Sequence, residues 1–254
     1  MRILYFGNNW LGLQVLRWLC QRNEQIVGLI LHPPARQKFG DEMIACMYGN
    51  DVQIIDGSTL RENSTLDLIA SLKPDIGLSV LFGYILKPAL LQLLPKGCLN
   101  LHPSFLPYNR GEYPNVWSII EGTPAGVSLH YIDEGIDTGN IVAQTQVSVE
   151  PIDTGESLYR KLESAALDLF ISSWEKFCKG EVVPQIQEYS KGTFHRVKDV
   201  EAIDEIELER LYTARTLIDL LRARTFPPHH GAYFRHDGRK IYLRLELIYD
   251  ETSI

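Results

Sequence analysis

The chain reads as an α/β protein, a doubly wound, mostly parallel sheet with a small C-terminal helix-plus-hairpin element. Three observations predict it. Short apolar runs alternate with helical patterns through the first hundred residues, the arrangement that builds parallel sheets through crossover helices. After residue 111 alternating runs replace that rhythm, and a long amphipathic stretch follows at 156–179. Near the end, Asp237-Gly238 separates two strand-like runs, a strong hairpin signal.

Taken in order, RILYF (2–6) is an apolar strand that stops at Gly7, and Leu11, Leu13, Val15, Leu16 and Leu19 fit a helix. QIVGLIL (25–31), DVQII (51–55), residues 75–80 and residues 97–101 supply four more strands, with a helix near 64–72. Pro114 opens a helix over PNVWSIIEG that stops at Gly122. GVSLHYI (126–132) and NIVAQTQVSV (140–149) alternate as strands on either side of the loop DEGIDTG. In the helix at 156–179, Leu158, Leu162, Ala165, Leu169 and Phe177 mark one stripe, and Gly180 ends it. A main domain over 1–185 and a small subdomain over 186–254 follow. The subdomain holds a helix over 213–224, the breaker TFPPHHG, and the strands AYFRH and KIYLRLEL.

The 254 residues carry a net charge of −7, with 45% apolar and 22% charged residues, the balance of an ordinary soluble protein. No apolar run approaches the roughly 20 residues that span a bilayer. The start, MRILYFGNNW, shows no signal-peptide core, so a cytoplasmic protein with no membrane partner is expected. The acidic balance weighs against a nucleic-acid partner. Residues 215–244 are locally basic, and Arg222, Arg224 and Arg235 read equally as solvated surface or as a functional group. Cys20, Cys46, Cys98 and Cys178 are scattered and read as reduced structural thiols. His102, His130, His229 and His230 lack ligand spacing with cysteines or carboxylates, so no metal is expected.

In an open parallel sheet the ligand sits beyond the carboxyl ends of the strands. Gly7-Asn8-Asn9, Phe82-Gly83-Tyr84 and the segment from Asn100 to Gly111 collect there. GNNWLG leads into a helix N-terminus but lacks the full GxGxxG dinucleotide fingerprint. In CLNLHPSFLPYNRG (98–111), Asn100 and His102 share one face, Leu99 and Leu101 the other, and Pro103 ends the strand. Either polar residue alone fits a strand end satisfied by backbone, and Asp137 alone fits a turn. Together they suit acyl transfer to a neutral amine. An amide can donate to the developing oxyanion, a histidine can take the amine's proton, and an aspartate can orient the histidine. The amine attacks directly, so no serine nucleophile is required, and Ser104 sits in no nucleophile elbow.

NLHPSFLPYNRG resembles the NxHPSxLPxxRG signature of the folate-dependent formyltransferases. GVSLHYIDEGIDTGNIVAQ (126–144) is similar to the second half of that signature, and FGYILK (82–87) to the family's strand-four loop. The resemblance covers about residues 1–180 and implies a Rossmann-like formyltransferase core. It implies Asn100 as oxyanion donor, His102 as general base or proton relay, and Asp137 as its partner. It also implies a site for N10-formyltetrahydrofolate lined by Phe82, Gly83, Tyr84, Ile85 and Leu86 on one side. Ile132, Asp133, Glu134 and Gly135 form the other side, with His130 supporting the loop.

The tail from LLRARTFPPHHG onward resembles that of sugar N-formyltransferases acting on nucleotide-linked 4-amino-4,6-dideoxyhexoses for surface-glycan biosynthesis. In that family a short C-terminal element contributes to a homodimer. The acceptor would meet Gly7, Asn8, Asn9 and Trp10, and the loop bearing Arg110, Gly111 and Tyr113. Alternatives are methionyl-tRNA formyltransferase, another amine formyltransferase, and a non-catalytic folate or nucleotide-sugar binding module.

Overall fold

A computed structural model of the protein describes residues 1–49 and 51–250. In chain order the elements begin β1 (Arg2–Gly7), α1 (Asn9–Gln21), β2 (Gln25–Leu31), α2 (Gly40–Cys46), β3 (Gln53–Asp56) and α3 (Asn63–Ser71). Then come β4 (Ile76–Val80), α4 (Pro88–Leu91), β5 (Cys98–His102), β6 (Arg110–Gly111), α5 (Pro114–Glu121), β7 (Ala125–Tyr131) and β8 (Ile141–Val147). The chain continues with α6 (Gly155–Cys178), β9 (Phe194–His195), α7 (Val197–Ile203), α8 (Ala214–Ala223), β10 (Tyr233–His236) and β11 (Arg239–Tyr242).

A seven-stranded sheet has the order β3-β2-β1-β4-β5-β7-β8. β1 pairs in parallel with β2 and β4, and β4 with β5, as the alternation of strand and helix requires. β5 and β7 then pair antiparallel, which makes the sheet mixed. β1 is buried along Ile3, Leu4, Tyr5 and Phe6 because a parallel strand has helices over both faces. One face carries a core of Leu4, Phe6, Ile30, Ile55, Ile69 and Leu90, on which Phe82 and Leu86 also pack.

The chain forms two compact units. The first comprises residues 1–102, 128–144 and 166–187; the second comprises 103–127, 145–165 and 188–254. This interleaving differs from a single linear boundary near 185, because β7, β8 and α6 each give part of their length to each unit. In the second unit β6 pairs with β9, a two-residue contact that carries no sequence periodicity. β10 and β11 form the hairpin, with Asp237 and Gly238 at φ +48° and +75°, as a type I′ turn demands. β11 ends at Tyr242, short of the expected KIYLRLEL strand.

The arginines of the tail are corrected by the structure. Arg222 is buried: its Nε pairs with Asp219 Oδ1 at 2.7 Å, and its Nη1 donates to the carbonyls of Glu150 and Asp153 at 3.1 and 2.9 Å. Arg224 forms a two-pronged pair with Asp204. Neither is solvated surface; both are structural cations satisfied by carboxylates. Arg235 is half-exposed and pairs with Glu205 at 3.0 Å.

Candidate active site

β5 carries the burial expected of its alternation. Leu99 and Leu101 are sealed in the sheet, whereas Asn100 is only partly covered. In the antiparallel ladder Asn100 stands opposite His130 and His102 opposite Ser128. The loop after β7 returns Asp137 to the same place, so Asn100, His102, His130 and Asp137 meet within the first unit.

The geometry orders their roles. His130 Nδ1 is 2.8 Å from the Tyr131 carbonyl oxygen, a contact only an N–H can make. In the neutral ring Nε2 is therefore an acceptor, and it receives the Asn100 Nδ2 amide at 3.2 Å. The same Nδ2 reaches Asp137 Oδ1 at 3.4 Å. The other carboxylate oxygen, Oδ2, lies 3.5 Å from His102 Nε2. The Asp137 carboxylate thus links the amide on one oxygen to the imidazole on the other. These contacts are long, the looseness common in a site that tightens around its substrate. The cluster unites an amide donor, an imidazole and a carboxylate in a place only 14% exposed at Asp137.

Two backbone features hold the loop. Asp137 adopts φ +54°, a left-handed conformation that non-glycine residues seldom take. A Cβ on Gly139 would sit 1.9 Å from the Tyr131 carbonyl oxygen, so only glycine fits there. Asp133 Oδ1 accepts the Gly135 N–H at 3.0 Å and also the Thr138 hydroxyl, which closes the turn on itself. Glu134 and Gly135 are exposed, while Ile132 packs on the Phe82–Leu86 core cluster.

The strand-four loop lies on that same cluster. Phe82 and Leu86 are buried in it, Tyr84 packs against it, and Gly83 and Ile85 are exposed. His32, at the carboxyl end of β2, stacks on Tyr84 at 4.7 Å and touches Phe82 at 4.9 Å. Its Nε2 accepts the Gly83 N–H at 3.3 Å. Burial lowers the His32 pKa first, and the nearby Arg36 guanidinium adds to the effect against an opposing pull from Asp56. Tyr84 and Ile132, both half-buried, pack on the edge of this cluster, while the N–H groups of Gly83 and Gly135 are taken by His32 and Asp133.

In the first loop Asn8 donates its N–H to Val80 and its Oδ1 accepts the Lys38 N–H at 2.8 Å rather than capping α1. Gly7 is buried, Asn9 has φ +62°, and Trp10 is exposed. Arg110, Gly111 and Tyr113 belong to the second unit. There the Arg110 guanidinium lies 5.7 Å from the Tyr189 ring centroid. Gly111 has φ +88°, and a Cβ on it would meet the His195 carbonyl oxygen at 2.3 Å. Tyr113 caps α5 from a left-handed conformation and is exposed, with its hydroxyl pKa raised by burial and then by Glu112. Ser104 donates its hydroxyl to the Tyr108 carbonyl, a structural bond.

Sequence reasoning reached Asn100, His102 and Asp137 but not His32 or Gln187. His32 could have been found from its place at a strand's carboxyl end before Pro33-Pro34. Gln187, which donates to the carbonyls of Asp137 and Gly139, sits in no motif at all. Among the described residues no three His, Cys, Asp or Glu side chains form a metal-binding group, and no helix is long and apolar enough to cross a membrane.

Residues 22–173 match the family described as Formyl transferase, and residues 199–249 match the N-formyltransferase dimerization C-terminal domain. The chain is 28% identical over 245 residues to a methionyl-tRNA formyltransferase of Chloroflexus aurantiacus, covering 92% of this chain and 76% of that one. It superposes on a 4-N formyltransferase from Francisella tularensis with a TM-score of 0.83 at 28% identity, covering 98% of each chain. It also superposes on the formyltransferase PseJ from Anoxybacillus kamchatkensis, solved with UDP-4,6-dideoxy-4-formamido-L-AltNAc and tetrahydrofolate. That match has a TM-score of 0.57 at 27% identity over 80% of this chain and 89% of the other. With its amide, imidazole and carboxylate gathered at the carboxyl end of β5 and most of its length matched, the chain belongs to the formyl transferase family.

Proposed function

We propose that the protein transfers the formyl group of N10-formyltetrahydrofolate to the amino group of a nucleotide-linked amino sugar. The acceptor is a 4-amino-4,6-dideoxyhexose on TDP or UDP, made in the cytoplasm for surface glycans. The observation that carries the reading is the Asp137 carboxylate reaching Asn100 through one oxygen and His102 through the other.

Asn100 is the oxyanion donor. Its amide turns from His130 and Asp137 to the formyl oxygen as negative charge builds there. His102 takes the proton that the amine sheds on attack, and Asp137 stabilises the resulting imidazolium. The proton passes on to N10 as the carbon–N10 bond breaks, so the protein ends unchanged. Tyr84 and Ile132, backed by Leu86, form the apolar side of the pterin site, and the exposed loop segments at Gly83, Ile85 and 133–135 line its edge. Gly7, Asn8, Asn9, Trp10, Arg110, Gly111 and Tyr113 serve the acceptor.

The sugar acceptor is supported by the match to the N-formyltransferase dimerization domain and by the likeness to the Francisella 4-N formyltransferase. A homodimer through the C-terminal subdomain, 186–254, is supported by the match of residues 199–249 to that dimerization domain. The second reading, a methionyl-tRNA acceptor, is favoured by the curated relatives. A panel of TDP- and UDP-linked amino sugars beside methionyl-tRNA, each offered with the folate donor, decides between them by a one-formyl mass gain. Product from methionyl-tRNA alone would overturn the sugar assignment. His102→Ala with unchanged turnover would overturn the mechanism.

A further inference from the structure

Gln187 follows Asp137 by 50 residues, in a stretch without helix or extended strand of its own. Its neighbour Gln185 exchanges two backbone hydrogen bonds with Ile141 at 2.7 and 2.8 Å, which pins this stretch beside the start of β8. From there the Gln187 side chain enters the loop between β7 and β8. Its Nε2 donates to the Asp137 carbonyl at 2.9 Å and to the Gly139 carbonyl at 2.7 Å, and the residue is only 4% exposed. Two carbonyl acceptors admit only the NH₂ end of the amide, so the orientation is fixed. That orientation leaves Oε1 buried with no hydrogen-bond partner among the described residues, a cost a glutamine free to turn would avoid.

The cost is matched by a need. Asp137 is held at φ +54°, where a non-glycine residue persists only if its surroundings over-determine it. Fixing the carbonyls of residues 137 and 139 fixes the 137–138 and 139–140 peptide planes, which bracket the Thr138-Gly139 step. We infer that Gln187 is a positioning residue for formyl transfer: it locks Asp137 in this conformation, so that the carboxylate meets Asn100 and His102. The inference rests on the reading of Asp137 as the partner of His102. Gln187 touches no reacting atom and acts only through Asp137.

The test uses the full chain with Gln187→Met, which keeps length but has no donor, and Gln187→Glu, which keeps shape. Unionised, the Gln187→Glu side chain keeps one donor; ionised, it repels both carbonyls. With folding checked by thermal melting, Gln187→Met lowers kcat by about 10–100-fold while KM for donor and acceptor stays unchanged. Gln187→Glu adds a new limb to the pH profile, with kcat falling as pH rises through the introduced carboxyl. The NMR titration of the His102 ring shifts in both variants. A kcat within about twofold of wild type in both, or an unaltered His102 titration, overturns the inference. If Gln187→Met does not fold, the pH limb of Gln187→Glu decides alone. If the wild-type protein formylates no acceptor, the functional reading fails, and the His102 titration still judges Gln187.

Discussion

Asn100 is the most informative residue to perturb, because a truncation and a nearly isosteric change together separate its donor role from its bulk. Its Nδ2 lies 3.2 Å from His130 Nε2 and 3.4 Å from Asp137 Oδ1. Asn100→Ala removes the donor, and loss of one oxyanion donor costs about 2.7–4 kcal/mol, or roughly 10²–10³ in kcat. Asn100→Asp preserves shape but sets a second carboxylate at about the same 3.4 Å separation from Asp137. At an effective dielectric of about 20, two unit charges that close repel by about 5 kcal/mol. The pair therefore retains one proton into the neutral range, as carboxylates sharing a site do. Formyl transfer is followed by mass under saturating donor and acceptor across pH 6–9. Asn100→Ala should be slow at every pH, whereas Asn100→Asp should regain activity as pH falls and a carboxyl O–H becomes available as donor. Activity of Asn100→Asp within about threefold of wild type at the alkaline end would refute the assignment, since no donor remains there.

Other expectations concern the frame around the site. Arg222→Met takes the cation from the half-buried Asp219 carboxylate and a donor from the Asp153 and Glu150 carbonyls, and should cost about 1–3 kcal/mol in urea unfolding; a loss under about 0.5 kcal/mol would return Arg222 to the solvated surface. The folded-state pKa of His32 lies below its ordinary 6.5, so as pH falls through 6.5 the unfolded chain takes the proton first and folding stability drops. His32→Phe removes that titration, and its melting temperature should fall less than wild type between pH 7.5 and 5.5; parallel curves would contradict the burial of a neutral ring. Gly238→Ala meets no atom within 4 Å but must adopt φ +75°, so about 1 kcal/mol of conformational strain should appear as a lower melting temperature and, for the proposed homodimer, as weaker association by ultracentrifugation. An unchanged dimer would place the hairpin outside the subunit contact.

The parallel half of the fold was legible because β1, β2, β4 and β5 each announce themselves with an apolar run and a breaker. Strand direction is different: the antiparallel pairing of β5 with β7 depends on the partner, not on either sequence. β6 and β9 are two residues each, too short for any period to register. Asn100 and His102 were legible from alternation stopped by Pro103. His130 was legible as a support of the loop, but its contact with Asn100 shows only in its position across the ladder. The arginines stayed open between two readings because a sequence displays a charge without its counter-charge, and Asp204 lies 20 residues from Arg224. Gln187 is invisible for a simpler reason: what it holds is main chain, which every residue has.

The β5–β7 ladder also acts as a reading frame. Asn100 opposite His130 is a register, and a slip of one residue would turn Asn100 and His102 into the apolar layer and bring the leucines out. Single-residue insertions or deletions within 98–102 or 128–131 should therefore be lethal to activity. The connection over 103–124 lies in the other compact unit, so the register of the ladder does not depend on its length. Descendants of such a chain can inherit the chemistry unaltered while the surrounding segments drift toward a new amine.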